Sequence, residues 1–255
     1  MICLGKLYER DDIYDLLESE SRDKITQKHY ETVFAGKQIR TLLDVSIGTG
    51  SMTLPLANLG IHLSGSDLSS RMLQRCQKKC DCRNIPIALK CGDFRNVAEL
   101  FQEQFDCVAS TGNSLGYVSN DDVLQTLEQM DALVKKGGYI YLDLRNWDMI
   151  MQKKPRYYLY NPVFIDNTRV NLMQFWDYLP DGSVDFNLLY TFEQNNRIVQ
   201  KEHFIEHYLP IKHQLLIDKL NELGYHTIET MLMPAHFGSF DPNTSDWYCI
   251  IAQKA

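Results

Sequence analysis

A chain of 255 residues with 26 Lys and Arg against 33 Asp and Glu has a formal net charge of −7. That surface repels phosphate backbones and argues against nucleic acid as a substrate. The 44% hydrophobic and 23% charged residues support a packed core, and apolar runs of a handful of residues fall short of the ~20 a membrane helix needs.

The N-terminal stretch MICLGKLYERDD turns charged early and has no apolar signal region. Residues 1–40 read as mainly helical. Ile13, Leu16 and Leu17 share one face, and a polar helix runs from about Ser21 towards Phe34. Thr41 to Val45 is a short apolar strand, followed by the turn Gly48-Thr49-Gly50 and a helix over Ser51 to Leu59. Ile61 to Ser66 is the next strand, Ser69 opens a helix, and Ile85 to Lys90 and Phe105 to Ser110 are further strands. Asn120-Asp121 caps a helix to Lys136, Gly137-Gly138 stops it, and Tyr139 to Leu144 is a fifth strand. This alternation predicts a doubly wound, mostly parallel sheet with helices on both faces.

The rhythm breaks after Asn146. From Tyr157 to Tyr208 the turn pairs Asp166-Asn167, Asp181-Gly182 and Asn195-Asn196 predict four antiparallel strands. Ile211 to Leu223 is a helix ended by Gly224, and Tyr225 to Met231 and Trp247 to Gln253 are the last strands. The expected organisation is an N-terminal helical lid at 1–40, a main α/β domain at 41–150 and 210–255, and an inserted antiparallel β subdomain at 151–209.

Gly48-x-Gly50 directly follows the first strand, where a doubly wound fold binds nucleotides, and glycines there let backbone approach a ligand closely. A tight turn with no ligand is the alternative. Asp67 falls 17 residues after Gly50 at the end of the second strand, where it can accept from both ribose hydroxyls. A carboxylate there suits an adenosyl ligand and does not by itself separate NAD from others. The dinucleotide fingerprint asks for a small residue where this chain has Thr53, and no Walker pattern favours ATP.

Leu43-Asp44-Val45-Ser46-Ile47-Gly48-Thr49-Gly50, Gly65-Ser66-Asp67-Leu68-Ser69 and Arg71-Met72-Leu73 resemble the first two motifs of class I S-adenosylmethionine-dependent methyltransferases. Gly92-Asp93-Phe94 and Phe105-Asp106-Cys107-Val108 leading to Thr111-Gly112-Asn113-Ser114 are similar to the third and fourth. The resemblance implies a seven-stranded Rossmann-like sheet and S-adenosylmethionine as cofactor. It implies that the loop of Asp44, Ser46, Gly48, Thr49 and Gly50 passes under the methionine part and Asp67 holds the ribose. Leu68 and Met72 would pack on the adenine, Asp93 would accept from its amino group, and Phe94 would offer a backbone N–H. Ser110 and Thr111 would offer backbone groups at the methionine end. Ile47 departs from the usual small residue. Ile13-Tyr14-Asp15 resembles the family's N-terminal lid, with Tyr14 either over the cofactor or a half-buried helix residue.

Asp143-Leu144-Arg145-Asn146-Trp147-Asp148 is similar to the D-H-R-N-Y-D segment of glycine and glycine/sarcosine N-methyltransferases, and Gly112-Asn113-Ser114-Leu115 to their G-N-S-F. The resemblance implies a small-molecule acceptor whose carboxylate Arg145 holds, with Asn146 and Tyr117 as further substrate-side candidates; the chemistry of the transfer suits Asn113 and Ser114 to orient the amine through side-chain or carbonyl contacts. An arginine at a strand's carboxyl end points into the crevice and suits a carboxylate bidentately, although a structural bridge to Asp143 or Asp148 is the other use for it. Tyr157, Tyr158 and Tyr160 are candidates for a lid or for cross-strand packing. The alternatives are a methyltransferase for another small metabolite, with Arg145 structural, and a non-catalytic S-adenosylmethionine-binding protein.

Seven cysteines, an odd number in no framework spacing, suit a reducing cytoplasm. Cys76, Cys80 and Cys82 have no standard zinc spacing, and His203 and His207 stand about 13 Å apart on a strand, too far for one ion. No metal is expected, and the sequence leaves monomer and homodimer open.

Overall fold

The computed structural model describes residues 6–255, so Cys3, the start of the N-terminal stretch and the side chain of Leu17 lie outside the described residues. Its strands are β1 (Thr41–Asp44), β2 (His62–Asp67), β3 (Ile87–Cys91), β4 (Phe105–Ser110), β5 (Val134–Arg145), β6 (Tyr157–Leu159), β7 (Val163–Ile165), β8 (Thr168–Tyr178), β9 (Val184–Gln194), β10 (Arg197–Tyr208), β11 (Tyr225–Leu232) and β12 (Trp247–Lys254). Its α-helices are α1 (Asp11–Tyr14), α2 (Glu20–Val33), α3 (Ser70–Arg83), α4 (Val97–Leu100), α5 (Asn120–Ala132), α6 (Trp147–Lys153) and α7 (His213–Glu222). Among the described residues no helix is long and apolar enough to cross a membrane.

The main sheet runs β3-β2-β1-β4-β5-β12-β11, with β12 antiparallel to both its neighbours. Side chains alternate across a strand, so successive residues of the central strands feed two cores. Leu43, Val108 and Leu142 enter one core, while Leu42, Cys107 and Tyr141 enter the other. Strand order reverses between β1 and β4, and the crevice beyond their carboxyl ends is where such sheets bind ligands. The seven-stranded, mostly parallel sheet expected from the sequence is the one observed.

The inserted strands form a second, antiparallel sheet in the order β10-β9-β8-β6, with β7 also on β8. Its inner face, including Leu172, Trp176, Phe186 and Phe204, continues the first core. The three predicted turns stand where expected, and Asp166, Asn195 and Asn196 have positive φ. The sheet has five strands rather than four, because Tyr157–Leu159 also pairs with β8.

Three elements differ from expectation for local reasons. Residues 51–59 form turns and a 3-10 helix over Leu54–Leu59; an α-helix from Ser51 would need a Pro55 N–H donating to Ser51, and proline has none. Helix α5 ends at Ala132, is capped by Ser119, and Gly137-Gly138 lie inside β5. A Cβ on Gly138 would stand 2.9 Å from the carbonyl oxygens of Asp106 and Lys135, so that glycine serves a close strand approach rather than a helix stop. Helix α6 is capped by the Asn146 side chain, which accepts from Met149 N–H at 3.2 Å.

Candidate active site

The turn after β1 is held from below by Asp44, which is fully buried. Its Oδ1 accepts from Ser46 N–H at 3.0 Å and its Oδ2 from the Thr111 hydroxyl at 2.8 Å and from the Thr53 hydroxyl. Burial raises its pKa against those bonds. With both oxygens committed, Asp44 fixes the loop rather than presenting itself to a ligand. Gly48 (φ 54°) and Gly50 (φ 84°) take left-handed backbone. A Cβ on Gly50 would come within 2.9 Å of Cys76 Sγ, whereas one on Gly48 would meet only Asp67 Oδ2 and the Tyr14 hydroxyl, both at 4.0 Å. Gly48 is therefore an open cradle roofed by Tyr14.

Asp67 ends β2 with Oδ2 accepting from Gly48 N–H at 2.9 Å and Oδ1 from Ser69 N–H at 2.8 Å. Burial pushes its pKa up to about 6, opposed by those two bonds. A cavity here is lined by Tyr8, Tyr14, Ser46, Gly48, Asp67, Leu68, Phe94 and Ser114 among others. The cradle, the carboxyl and the apolar walls of Leu68 and Phe94 fit an adenosyl group. Ser110 and Thr111 form the floor, with Ser46 Oγ 3.2 Å from Ser110 Oγ and accepting from Thr111 N–H at 3.2 Å.

Three residues expected at the cofactor have side chains engaged within the protein. Met72 is fully buried on the inner face of α3. Asp93 is gripped by its neighbour Arg95, whose Nη2 donates to Oδ2 at 2.6 Å and Nε to Oδ1 at 3.0 Å. Burial alone would raise Asp93, but that guanidinium holds it below the usual range. Thr49 turns its hydroxyl to Asp15 Oδ1 at 2.7 Å. Asp15 also accepts from Arg75 Nε at 2.8 Å and lies 3.0 Å from Lys79 Nζ. This cluster fastens the segment carrying Tyr14 to the glycine turn and α3, and its anchor residue Asp15 carried no distinctive sequence signal beyond following Tyr14.

A second cavity of about 360 Å³ adjoins the first, and Tyr8, Tyr14 and Tyr117 line both. It lies between the strand ends and the inserted sheet, with Arg145, Asn113, Asp143, Tyr190, Glu206 and Trp247 among its walls. Arg145 is 6% exposed and its guanidinium lies 4.8–5.5 Å from the rings of Tyr158, Trp176, Phe186 and Trp247. Its Nη1 is buried without a hydrogen-bond partner among the described residues. Neither alternative bridge, to Asp143 or to Asp148, is present among the described residues; Asp143 Oδ1 accepts from Gly112 N–H at 2.7 Å and Asp148 Oδ2 from His213 N–H at 2.9 Å.

Asn113 holds left-handed backbone (φ 62°), and its Oδ1 accepts from Arg145 N–H at 3.1 Å and Trp147 Nε1 at 3.0 Å. Only Nδ2, buried and unpartnered, remains. It can donate to an acceptor group, whereas Oδ1 is already committed to two donors, so an amine-orienting contact from this residue falls to its backbone carbonyl. The Ser114 hydroxyl donates to Thr111 O at 2.7 Å. Asn146 is turned away, its Nδ2 donating to Pro242 O and Ser245 O at 2.8 and 2.9 Å, so its expected place beside the substrate gives way to a structural one. Of the tyrosine lid candidates, Tyr160 lines the cavity, Tyr158 stacks on Trp176 with 6° between ring planes, and Tyr157 is exposed and packs edge-on against Phe175. His203 and His207 lie on β10 and meet Asn187 and Asp185 at 3.0 and 2.7 Å. Cys76 and Cys80 are buried on α3, and Cys82 is exposed.

Residues 42–138 match the methyltransferase domain family. The glycine/sarcosine N-methyltransferase of Aphanothece halophytica is 26% identical over 224 residues, 84% of this chain and 76% of that protein. A solved S-adenosylmethionine-dependent methyltransferase from Clostridium acetobutylicum ATCC 824 superposes with a TM-score of 0.77 at 14% identity, covering 98% of this chain and 99% of its own. Residues 42–138 carry a methyltransferase domain, and the chain as a whole has the fold of S-adenosylmethionine-dependent methyltransferases. CalS10, an amino pentose methyltransferase from Micromonospora echinaspora solved with S-adenosylmethionine bound, shares that fold with a TM-score of 0.72 at 15% identity, covering 99% of this chain and 98% of that one. Several other curated relatives are spanned only about half or less along their own length.

Proposed function

We propose that the protein is a methyltransferase that acts on the amine of a small carboxylate-bearing acceptor, glycine- or sarcosine-like. The observation that carries this is Arg145, a buried guanidinium in a ligand-sized cavity whose Nη1 has no hydrogen-bond partner among the described residues. Leaving such a cation unpaired is costly, and an incoming carboxylate supplies the partner. The names of curated relatives, glycine/sarcosine N-methyltransferases among them, support the same class.

The cofactor supplies a methyl group on a sulfonium. Asp67 would take the ribose hydroxyls, Leu68 and Phe94 would hold the adenine, and Gly48 with Ser46, Thr111 and Ser114 would hold the methionine part. Arg145 and the Nδ2 of Asn113 together grip the acceptor carboxylate, which sets the amine towards the cavity shared with Tyr14 and Tyr117. Holding the nucleophile in line supplies most of the rate in a displacement of this kind, and the aromatic walls exclude water.

The test is calorimetric titration with S-adenosylmethionine, then product assay against amino acids, sarcosine and dimethylglycine. Methylation of one of them is expected. Arg145→Ala should then raise KM for that acceptor about 10- to 100-fold, as loss of a charged hydrogen-bond pair of about 1.5–3 kcal/mol implies, with cofactor affinity nearly unchanged. Loss of cofactor binding or of folding on that substitution would refute the acceptor role of Arg145.

A further inference from the structure

Glu206 lies on β10 opposite Phe186 of β9 and faces inwards between Phe204 and Tyr208. A carboxyl at 2% exposure on an apolar sheet face is unusual. Its Oε2 accepts from the Tyr117 hydroxyl at 3.1 Å, and the Tyr208 hydroxyl stands 2.7 Å from that of Tyr117. Its Oε1 is buried with no partner among the described residues, and the residue lines the acceptor cavity. Phe186 neighbours both ionic residues of that cavity. Arg145 lies 5.1 Å from its ring, and Glu206 is its cross-strand neighbour. The cavity therefore offers one cationic and one anionic pole, each missing a partner, beside an aromatic wall.

We propose that Glu206 receives the ammonium group of the acceptor and takes its proton before methyl transfer. This rests on the amine reading above and adds to it how an amine that is protonated in water becomes a nucleophile. One N–H bond of the ammonium breaks, an O–H bond forms on Oε1, and the nitrogen keeps the electron pair that the methyl group needs. The carboxyl returns the proton to water when product leaves. Tyr117, donating to Oε2, keeps Glu206 pointed at the acceptor, with Tyr208 donating to Tyr117 in turn.

Burial raises the Glu206 carboxyl to about 7, opposed by the Tyr117 hydrogen bond. That places it where a general base is effective at neutral pH. The ionisable groups around it are Tyr117 from the turn after β4, Tyr208 on its own strand, Tyr190 on β9, Tyr8 from the N-terminal segment and Arg145 in the same cavity. None of the tyrosines ionises in this range, since burial raises all four.

The experiment is the pH profile of kcat/KM for wild type, Glu206→Gln and Tyr117→Phe, between about pH 6 and pH 10, with an amine the wild type methylates. The wild-type profile should rise near pH 7. In Glu206→Gln that limb should move up towards the amine's own pKa, with a loss of about 100-fold near pH 7.5, the range of one general base. Tyr117→Phe should shift the limb upwards without abolishing it, because Oε2 loses a donor, and this variant reports on Glu206 even if Glu206→Gln folds poorly. S-Adenosylmethionine affinity by calorimetry should be unchanged in Glu206→Gln. Superimposable profiles for wild type and Glu206→Gln would overturn the role of Glu206 while leaving amine methylation intact. Wild-type transfer to hydroxyl acceptors and to no amine would overturn the amine reading and this role with it.

Discussion

In the proposed cofactor site, one carboxyl, Asp67, would serve loop and ligand together. Each of its oxygens holds one backbone N–H, from Gly48 and Ser69, and each keeps a lone pair for a ribose hydroxyl. Only the ionised form is a full acceptor, and burial lifts its pKa to about 6. Cofactor affinity should therefore be constant above about pH 7 and weaken as pH falls through 6, which titration calorimetry at several pH values reads directly. Asp67→Ala should weaken binding about 10- to 100-fold, the worth of charged hydrogen bonds. A variant that binds as tightly as wild type would remove Asp67 from the cofactor site. The same accounting applies to Asn113. Two donors, Arg145 N–H and Trp147 Nε1, fix its oxygen, so its free end is a donor suited to a carboxylate.

At the scale of elements, the loop after β1 and strand β2 are matched by volume. Ile47 fills the space beside Gly65, where a Cβ would lie 2.5 Å from Ile47 Cδ1. Gly65→Ala should cost about 1–3 kcal/mol, the usual penalty for overpacking a tight contact. Ile47→Ala in the same chain should recover part of it, since contacting positions are non-additive. Thermal melting of the two single variants and the double variant measures this, and strict additivity would show that the contact relaxes freely. Much of this architecture was legible because strand and helix periods differ and the inserted sheet's turns carry Asn, Asp and Gly. What was not legible depends on distant partners. Asp93 could not be seen to be captured by Arg95, nor Asn146 by the carbonyls of Pro242 and Ser245. The alternation Phe204-x-Glu206-x-Tyr208 did carry a signal, a charge on the apolar face of a strand, which only the inward orientation of β10 makes meaningful.

For the whole molecule, the site is assembled from three stretches far apart in sequence: the N-terminal segment, the carboxyl ends of the main sheet and the inner face of the inserted sheet. Their meeting buries carboxyls that prefer to be neutral, Asp143 at about 7 and Glu206 at about 7, both through desolvation. The linkage has a definite sign. A carboxyl whose folded pKa is raised stabilises the fold fully below its ordinary pKa near 4, and that stability is lost as pH rises through the folded value. Asp15 has the opposite sign, because Arg75, Thr49 and Lys79 overcome its burial and lower its pKa, so its contribution disappears in acid. The difference between wild type and Glu206→Gln isolates one group from the rest. The unliganded wild type should lose ground to the variant between about pH 5 and pH 8, on the order of 1–3 kcal/mol given ~1.4 kcal/mol per pKa unit, or several degrees in melting temperature for a chain this long. Melting curves that stay parallel across that range would mean that Glu206 does not titrate there. An acceptor ammonium that binds beside the ionised carboxyl should reverse the trend, stabilising wild type more than the variant at pH 8. The instability of the empty site is in this sense the affinity held ready for its substrate.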